Sequence, residues 1–379
     1  MKSEKNFDLL IQKDIEKFLK KGVSDHVFPC AAVGILQGLG KEKKKMIKYY
    51  GNASLIPEKR KIDKHFYFDL ASLTKPFATT MAILCLMKMQ KTGIDETLSS
   101  LLERKIAGEK KNITLEHLLS HCSGFPAHRD YFKILKNIPE KKKRKCVETL
   151  LLDEQLEYSP GTRALYSDLG FLLLGLIIEK KAGQTLDYFV YENVFKPFHL
   201  EKKIFFNPLT DNKKKKRNKE YVATENSPWR KKILCGEVHD DNCFAMGGIA
   251  GHSGLFGDID SVTRYAGLIL DMWKNVVVHP NIKNSDLINF LVRNKKSSGN
   301  EKVLGFDTRD TKYSSSGKYF SNKSVGHLGF TGTSFWIDPD KDVVIVLLSN
   351  RIHPSRTNTK IKKFRPMFHD QIMEGIFSV

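Results

Sequence analysis

Strand-like runs at opposite ends of the chain constrain its fold more than any other feature. Near the N-terminus, "CAAVGILQG" (30–38) predicts a buried strand, and "KKMIKYYGNAS" (44–54) predicts a second one. Near the C-terminus, "GTSFWID" (332–338) and "DVVIVLLSN" (342–350) predict two adjacent strands joined by a turn. We therefore expect the two ends of the chain to share one sheet.

The middle of the chain carries apolar runs of helical length, most of them ended by a glycine or a proline. The predicted helices cover residues 73–91, 113–124, 165–183, 185–198 and 258–273, with an amphipathic helix at 1–22 and a closing helix at 363–379. Two stretches, 198–235 and 246–257, read as irregular because the first is basic and the second is rich in glycine. We predict a single domain over residues 1–379, with a sheet lobe from about 1–70 and 300–379 and a helical lobe from about 71–299.

The formal net charge of +20 raises the question of a polyanionic partner. The lysines cluster in three tracts, 41–48, 140–145 and 211–219, and none of the tracts is interleaved with aromatic residues. This distribution favours solvated surface loops, so we expect no nucleic-acid partner.

The N-terminal helix lacks the apolar run and the cleavage site of a secretion signal, and no run reaches the ~18 residues of a membrane span. The six cysteines are scattered without a CxxC pair, which favours reduced thiols over a disulfide framework. These features predict a cytoplasmic protein without a membrane span.

Ser72 and Lys75 lie three residues apart, just ahead of a long apolar run. Positions i and i+3 share one face of a helix, so the amine can reach the hydroxyl. A serine becomes a good nucleophile when a neighbour takes its proton, and a lysine can do so once its pKa is lowered. The apolar run predicts burial of Lys75, which would lower that pKa. The alternative is an N-capping serine beside a solvated lysine.

Two later motifs complete such a site. In "LYSDLG", Tyr166 and Asp168 open an apolar helix, and a tyrosine near a lysine cation can relay protons. In "GHLGFTG", His327 and Gly329 lie on a predicted strand edge, where the N–H after the glycine can bind an oxyanion. Taken singly, each motif also fits a structural role, as a core tyrosine or a β-bulge glycine.

In their chain order, these motifs resemble the S-x-x-K, Y-x-N and K-T-G or H-x-G motifs of the serine β-lactamase and penicillin-binding protein superfamily. The likeness is greatest to its class C, esterase, D-aminopeptidase and muropeptide amidase branch, and it runs from about residue 25 to the C-terminus. The resemblance implies an α/β (α+β) fold of the β-lactamase/transpeptidase type, with an antiparallel sheet flanked by helices plus an all-helical lobe. We expect no cofactor and no metal.

The resemblance also implies a role for each motif residue. Ser72 would be the acylated nucleophile, and Lys75 and Tyr166 would share the duties of base and acid. The backbone N–H groups of Ser72 and Phe330 would form the oxyanion hole, with Gly329 beside them.

This chain departs from the family motifs at two positions. Asp168 stands where many members have Asn, and it could either hold Lys75 as an ammonium or receive a cationic group of the substrate. His327 would line the leaving side of the site and stands where β-lactamases usually have Lys. This substitution favours the peptidase and esterase branches over efficient β-lactam turnover.

A further stretch, 236–257, resembles a segment of those family members that cleave the lactyl-alanine amide of muramyl peptides. Its polar side chains could form a wall of the substrate site, a structural loop or, less readily, a metal site. The candidate wall residues are His239, Asp241 and His252.

Two other patterns are weaker. His117 and His121 have the spacing of a zinc helix but lack the H-E-x-x-H form, and "GHSGL" around Ser253 lacks the final glycine of G-x-S-x-G. We therefore predict a serine hydrolase that acts through an acyl-enzyme on a small amide or ester. A muropeptide amide is the first choice, and a carboxylesterase or weak β-lactamase is the second. A penicillin-binding sensor or a non-catalytic interaction module is the alternative class.

Overall fold

The computed structural model describes residues 2–209, 220–292, 303–310 and 313–377. The lysine tract at 211–219 and the predicted lobe boundary near residue 300 lie outside these ranges. The described strands are β1 (Cys30–Gln37), β2 (Lys44–Ser54), β3 (Arg60–Lys61), β4 (Phe66–Asp69), β5 (Ile204–Phe206), β6 (Glu220–Tyr221), β7 (Ala223–Ser227), β8 (Lys232–Cys235), β9 (Leu255–Gly257), β10 (Asp307–Thr308), β11 (Val325–Leu328), β12 (Ser334–Asp338) and β13 (Val343–Ser349). The described α-helices are α1 (Lys2–Ser24), α2 (Met81–Lys88), α3 (Leu98–Leu101), α4 (Leu115–Leu119), α5 (Phe132–Leu135), α6 (Glu140–Asp153), α7 (Asp168–Ala182), α8 (Leu186–Val190), α9 (Asp241–Ala245), α10 (Ile259–Trp273), α11 (Asn284–Leu291) and α12 (Ile361–Phe377).

One large antiparallel sheet joins the two ends of the chain. Its strand order is β10-β11-β12-β13-β1-β2-β3. Strand β1 pairs along its length with β13, from Ala31 opposite Ser349 to Gln37 opposite Val343, and it pairs with β2 on its other side. The prediction that both ends of the chain share a sheet is confirmed.

Both faces of β1 are buried, which explains why its sequence is apolar throughout instead of alternating. Ala31 belongs to the hydrophobic cluster that includes α12, whereas Ala32 belongs to the larger core that includes α10. At Gly34 a Cβ atom would lie 1.8 Å from Thr263 Oγ1 of α10. Only glycine therefore lets α10 pack this closely against the sheet.

Smaller sheets lie in the middle of the chain. One has the order β5-β9-β4-β6, and β7 pairs with β8. The prediction of irregular structure over 198–235 is therefore wrong for β5, β7 and β8, and the glycine-rich stretch 246–257 ends in β9. These strands have three to five residues each, which is too short for a clear alternation in the sequence.

The chain after β4 is not one regular helix over 73–91, as the apolar pattern predicts. A 3-10 turn spans Ala71–Leu73, a π-helical segment spans Lys75–Thr80, and α2 follows. Pro76 near the start of the wide segment cannot donate a backbone hydrogen bond. Wide π-helical turns are frequent at functional sites. The predicted helix 185–198 is divided in the same way, because a π-helical segment and a 3-10 turn follow α8.

The lysine tracts that the structure describes lie at the surface but are not loops. Tract 41–48 runs into β2, and tract 140–145 opens α6. The prediction of solvated loops is wrong for these two tracts, although most of their side chains are exposed. Among the described helices, none combines the length and the apolar character that a membrane crossing requires.

Candidate active site

Ser72 follows a strained turn between β4 and the π-helical segment. Ala71, immediately before it, has φ = +48°, a left-handed conformation that is costly for a residue with a side chain and is typical of functional sites. The buried carboxylate of Asp69 supports this turn, because the Ala71 N–H donates to its Oδ1 at 2.9 Å. Thr331 Oγ1 donates to the Asp69 carbonyl at 2.8 Å, which connects the turn to the loop after β11.

Lys75 is fully buried, and its amine contacts three oxygen atoms. Nζ lies 3.0 Å from Ser72 Oγ, 2.6 Å from Asp168 Oδ1 and 3.1 Å from the His252 carbonyl oxygen. The carboxylate and the carbonyl can only accept hydrogen bonds, so Nζ donates to both of them. Burial alone would lower the pKa of Lys75, but the charges of Asp168 and Tyr166 and their hydrogen bonds raise it above its usual value.

The prediction of a lowered pKa at Lys75 is therefore wrong. Lys75 is buried as predicted, but the Asp168 carboxylate stabilises the ammonium enough to overcome the lowering of the pKa by burial. Of the two roles expected for Asp168, the geometry matches the first, in which it holds Lys75 as an ammonium.

Tyr166 lies beside this amine, with Lys75 Nζ 4.9 Å from the centroid of its ring. The side chain lines the cavity and is 41% exposed, and its phenol interacts with Ser72 and Lys75. Burial, only partly offset by the Lys75 cation, raises the pKa of the phenol to about 12. At neutral pH the resting site therefore contains a phenol and an ammonium, which titrate as one coupled pair.

The two oxygens of Asp168, the first residue of α7, face different partners. Oδ1 contacts Lys75, and Oδ2 lies 3.6 Å from His128 Nδ1. Burial alone would raise the pKa of the Asp168 carboxyl, but the Lys75 charge and His128 hold it well below its usual range. The helix N-terminus also favours a negative charge. Asp168 is therefore an ionised link between Lys75 and His128.

The loop after β11 packs against the turn that precedes Ser72. The Gly329 N–H donates to the Thr333 carbonyl at 2.7 Å, and Thr333 Oγ1 donates to the Leu70 carbonyl at 3.1 Å. A Cβ atom at Gly329 would lie 1.9 Å from Thr333 Oγ1, so this approach requires glycine. Within the described residues, the N–H groups of Ser72 and Phe330 have no hydrogen-bond partner, which leaves both free to bind an oxyanion.

Phe330 and His327 both line the cavity. The Arg351 guanidinium lies 4.6 Å from the centroid of the Phe330 ring, and the His239 ring lies 5.5 Å from it. His327 is buried, and its Nδ1–H donates to the Leu328 carbonyl at 2.9 Å, which leaves Nε2 as an acceptor. Burial lowers the pKa of His327, so this position is neutral at neutral pH.

The segment 236–257 supplies part of the cavity wall. His239 and Asp241 line the cavity, and the His239 N–H donates to Asp69 Oδ2 at 2.6 Å. His252 does not line it, which corrects its expected position. That side chain is 1% exposed and lies behind the wall, with Nε2 2.8 Å from Asp240 Oδ1 and its carbonyl on Lys75.

Ser72, Tyr166 and Asp168 open into one cavity of about 580 Å³. Its lining contains carboxylates, such as Asp240, and guanidinium groups, such as that of Arg365. In the part of the chain that the structure describes, no three His, Cys, Asp or Glu side chains are grouped so that they could hold a metal ion. The cavity can therefore receive a polar molecule of moderate size directly against the Ser72 hydroxyl.

Comparison with known proteins identifies the family of this chain. A sequence model of the beta-lactamase family matches residues 15–364. The chain belongs to the beta-lactamase family.

Relatives of this beta-lactamase family protein include a named amidase and a named carboxypeptidase. It is 30% identical over 335 residues to the N-acetylmuramyl-L-alanine amidase of Bacillus subtilis (strain 168), covering 81% of this chain and 73% of the relative. It is 30% identical over 343 residues to a putative D-alanyl-D-alanine carboxypeptidase of Salmonella typhi, covering 83% and 76%. The solved structure of EstCE1, a hydrolase with promiscuous acyltransferase activity, matches 97% of this chain and 99% of its own, with a TM-score of 0.72 at 18% identity, which shows a shared fold.

Several residues that contact the site of this beta-lactamase family protein were not predicted from the sequence. His121 has the spacing of a zinc ligand, yet its Nδ1 accepts the Ser167 N–H at 3.1 Å and its ring lies 4.7 Å from that of Tyr166. His128 lies in a loop far from every motif, and no periodic pattern marks it. Of these residues, only Asp69 could have been found from the sequence. It lies three residues before Ser72, and a carboxylate just before a turn can accept hydrogen bonds from the N–H groups of that turn.

We expect Asp168→Asn to move the acid limb of the pH–rate profile to lower pH. If the Lys75–Tyr166 pair acts as the base, it must first lose one proton, and the Asp168 carboxylate opposes that loss. Because a charge at this range changes a pKa by about 1–3, the limb should move by about one pH unit or more. The measurement is kcat/KM from pH 5 to 10 with a neutral ester.

The matched control is Asp260→Asn, which removes an exposed carboxylate that pairs with Lys45 far from the cavity. This control should leave the limb in place. An Asp168→Asn profile that coincides with the wild-type profile would contradict the electrostatic role assigned to Asp168.

Proposed function

We propose that this protein hydrolyses an amide bond through an acyl-enzyme on Ser72. The observation that carries the proposal is the 3.0 Å contact between Lys75 Nζ and the oxygen of Ser72, a residue that lines the cavity. Ser72 is the nucleophile, Lys75 and Tyr166 handle its proton, and the N–H groups of Ser72 and Phe330 bind the oxyanion.

The proton path follows from the charges of the site. Once the Lys75–Tyr166 pair has lost a proton, it accepts the Ser72 proton while Oγ bonds to the substrate carbonyl carbon. The same proton then passes to the leaving amine as the C–N bond breaks. Water then adds to the ester carbonyl and loses a proton to the pair. The pair returns this proton to Ser72 Oγ as the acyl C–O bond breaks, which releases the carboxylic acid.

The substrate class that we propose is the amide between the lactyl group of a muramic acid and L-alanine. The support is the amidase relative from Bacillus subtilis, at 30% identity over most of the chain, together with a cavity of about 580 Å³ lined by charges of both signs. Neutral His327 takes the place of a lysine cation, which weakens the case for efficient β-lactam turnover. A carboxylic ester is the second candidate because acyl transfer through Ser72 does not require an amide.

A panel of substrates tests this proposal. The purified protein is incubated separately with an N-acetylmuramyl-L-alanine peptide, a peptide ending in D-Ala-D-Ala, a nitrophenyl ester and a chromogenic cephalosporin, and released amine, acid or chromophore is quantified. We expect the muramyl amide to give the highest kcat/KM and to yield free L-alanyl amine. Preferred release of D-alanine would contradict the substrate class, and a persistent acyl adduct without turnover would indicate a sensor.

A further inference from the structure

We propose that His128 is a positioning residue that acts on Lys75 through Asp168. The positive charge of His128 reduces the electrostatic stabilisation of the Lys75 ammonium by Asp168. The Lys75–Tyr166 pair can therefore lose its proton and act as the base at lower pH. This inference rests on the proposed function, because it assigns a role in the same proton-transfer step.

The contacts form a continuous chain from the cavity to the nucleophile. The His128 ring lines the cavity and is 46% exposed, with Nδ1 3.6 Å from Asp168 Oδ2. The other oxygen of Asp168 lies 2.6 Å from Lys75 Nζ, which in turn contacts Ser72 Oγ. Since one carboxylate is shared by an imidazole and an ammonium, the charge of either cation changes the electrostatic attraction felt by the other.

Three carboxylates act on the charge of His128. Asp168 faces it from α7, and Asp240 acts on it from the residue before α9. On its own loop, Asp130 lies 3.5 Å from Nε2 and is itself paired with Lys133 of α5. The interaction with the Asp168 carboxylate is the largest of the effects that raise the pKa of His128 above its usual value.

The direction of the effect follows from these charges. Below the pKa of His128, the imidazolium neutralises part of the Asp168 charge, and the Lys75–Tyr166 pair loses its proton more readily. Above that pKa, His128 is neutral, and the full negative charge of Asp168 stabilises the Lys75 ammonium. A neutral replacement should therefore reduce activity only on the acid side of the profile.

The experiment compares wild type with His128→Gln, using kcat/KM for a neutral nitrophenyl ester from pH 5 to 10 and subtracting the Ser72→Ala background. The ratio of wild type to variant should be about two- to fivefold at the acid end, the range for a partly exposed ion pair. The ratio should approach one at the alkaline end. His65→Gln, which changes an exposed histidine next to β4, should give a ratio near one throughout.

A second pair of variants tests the route through Asp168. In the Asp168→Asn background, His128→Gln should have no further pH-dependent effect, because the shared carboxylate is gone. A ratio that is constant with pH, or that persists in the Asp168→Asn background, would overturn the inference. His128→Asn should reproduce the result if the glutamine variant is poorly folded. Activity retained in Ser72→Ala would instead refute the proposed function and leave His128 without this role.

Discussion

Ser72→Ala is expected to reduce hydrolysis of every substrate to the background of the buffer, a loss of about 10⁴-fold or more. The alanine keeps the turn, the free N–H groups and the cavity, and it removes only the oxygen that Lys75 contacts at 3.0 Å. Because no acyl-enzyme can then form, kcat should fall without a large change in KM. The measurement is steady-state turnover of a nitrophenyl ester and of the muramyl amide.

Ser253→Ala is the matched control for this loss. Ser253 lines the same cavity, is 3% exposed and lies in the "GHSGL" stretch. Within the described residues its Oγ has no hydrogen-bond partner, so its removal disrupts no contact on which the proposed chemistry depends. This variant should keep activity within a few-fold of wild type. An inactive Ser253→Ala together with an active Ser72→Ala would reverse the assignment of the nucleophile.

Lys75→Ala is expected to cost about 10²-fold or more in kcat, because the proton of Ser72 loses its nearest acceptor. It should also destabilise the fold by about 3 kcal/mol, since a mostly buried Asp168 carboxylate would be left without its ammonium partner. Turnover and denaturant unfolding are measured separately, so that lost chemistry is distinguished from lost folded protein.

The double variant Lys75→Ala with Asp168→Asn separates these two effects. Removing both charges should restore much of the stability but none of the activity. Lys133→Ala, at an exposed lysine paired with Asp130, controls for the loss of a surface cation and should be close to neutral. Recovery of turnover in the double variant would show that Lys75 takes no part in proton transfer.

Local sequence patterns are sufficient to predict the strands at both ends of the chain and the contact between Ser72 and Lys75. The strand assignments at both ends hold because β1 and β13 are apolar throughout and lie side by side in the sheet. The Ser72–Lys75 contact follows from residues one turn apart, which need no distant partner. These predictions succeed because each depends on residues within a few positions of one another.

Properties that depend on distant segments could not be obtained in this way. The charge state of Lys75 is set by Asp168 and the His252 carbonyl, which come from other parts of the chain. The left-handed Ala71 is supported by Asp69 and by a loop near the C-terminus. His128 reaches Asp168 only through the tertiary fold. A local argument could therefore predict the burial of Lys75, but it could not predict the direction of the pKa change.

The most direct test of the central claim is the site of covalent modification. Wild-type protein is treated with a fluorophosphonate, its intact mass is measured, and the labelled peptide is sequenced by mass spectrometry. We predict one adduct per chain on Ser72, formed in Ser253→Ala and absent in Ser72→Ala. An adduct on another serine, or an unmodified wild-type protein that still hydrolyses the ester, would contradict the account.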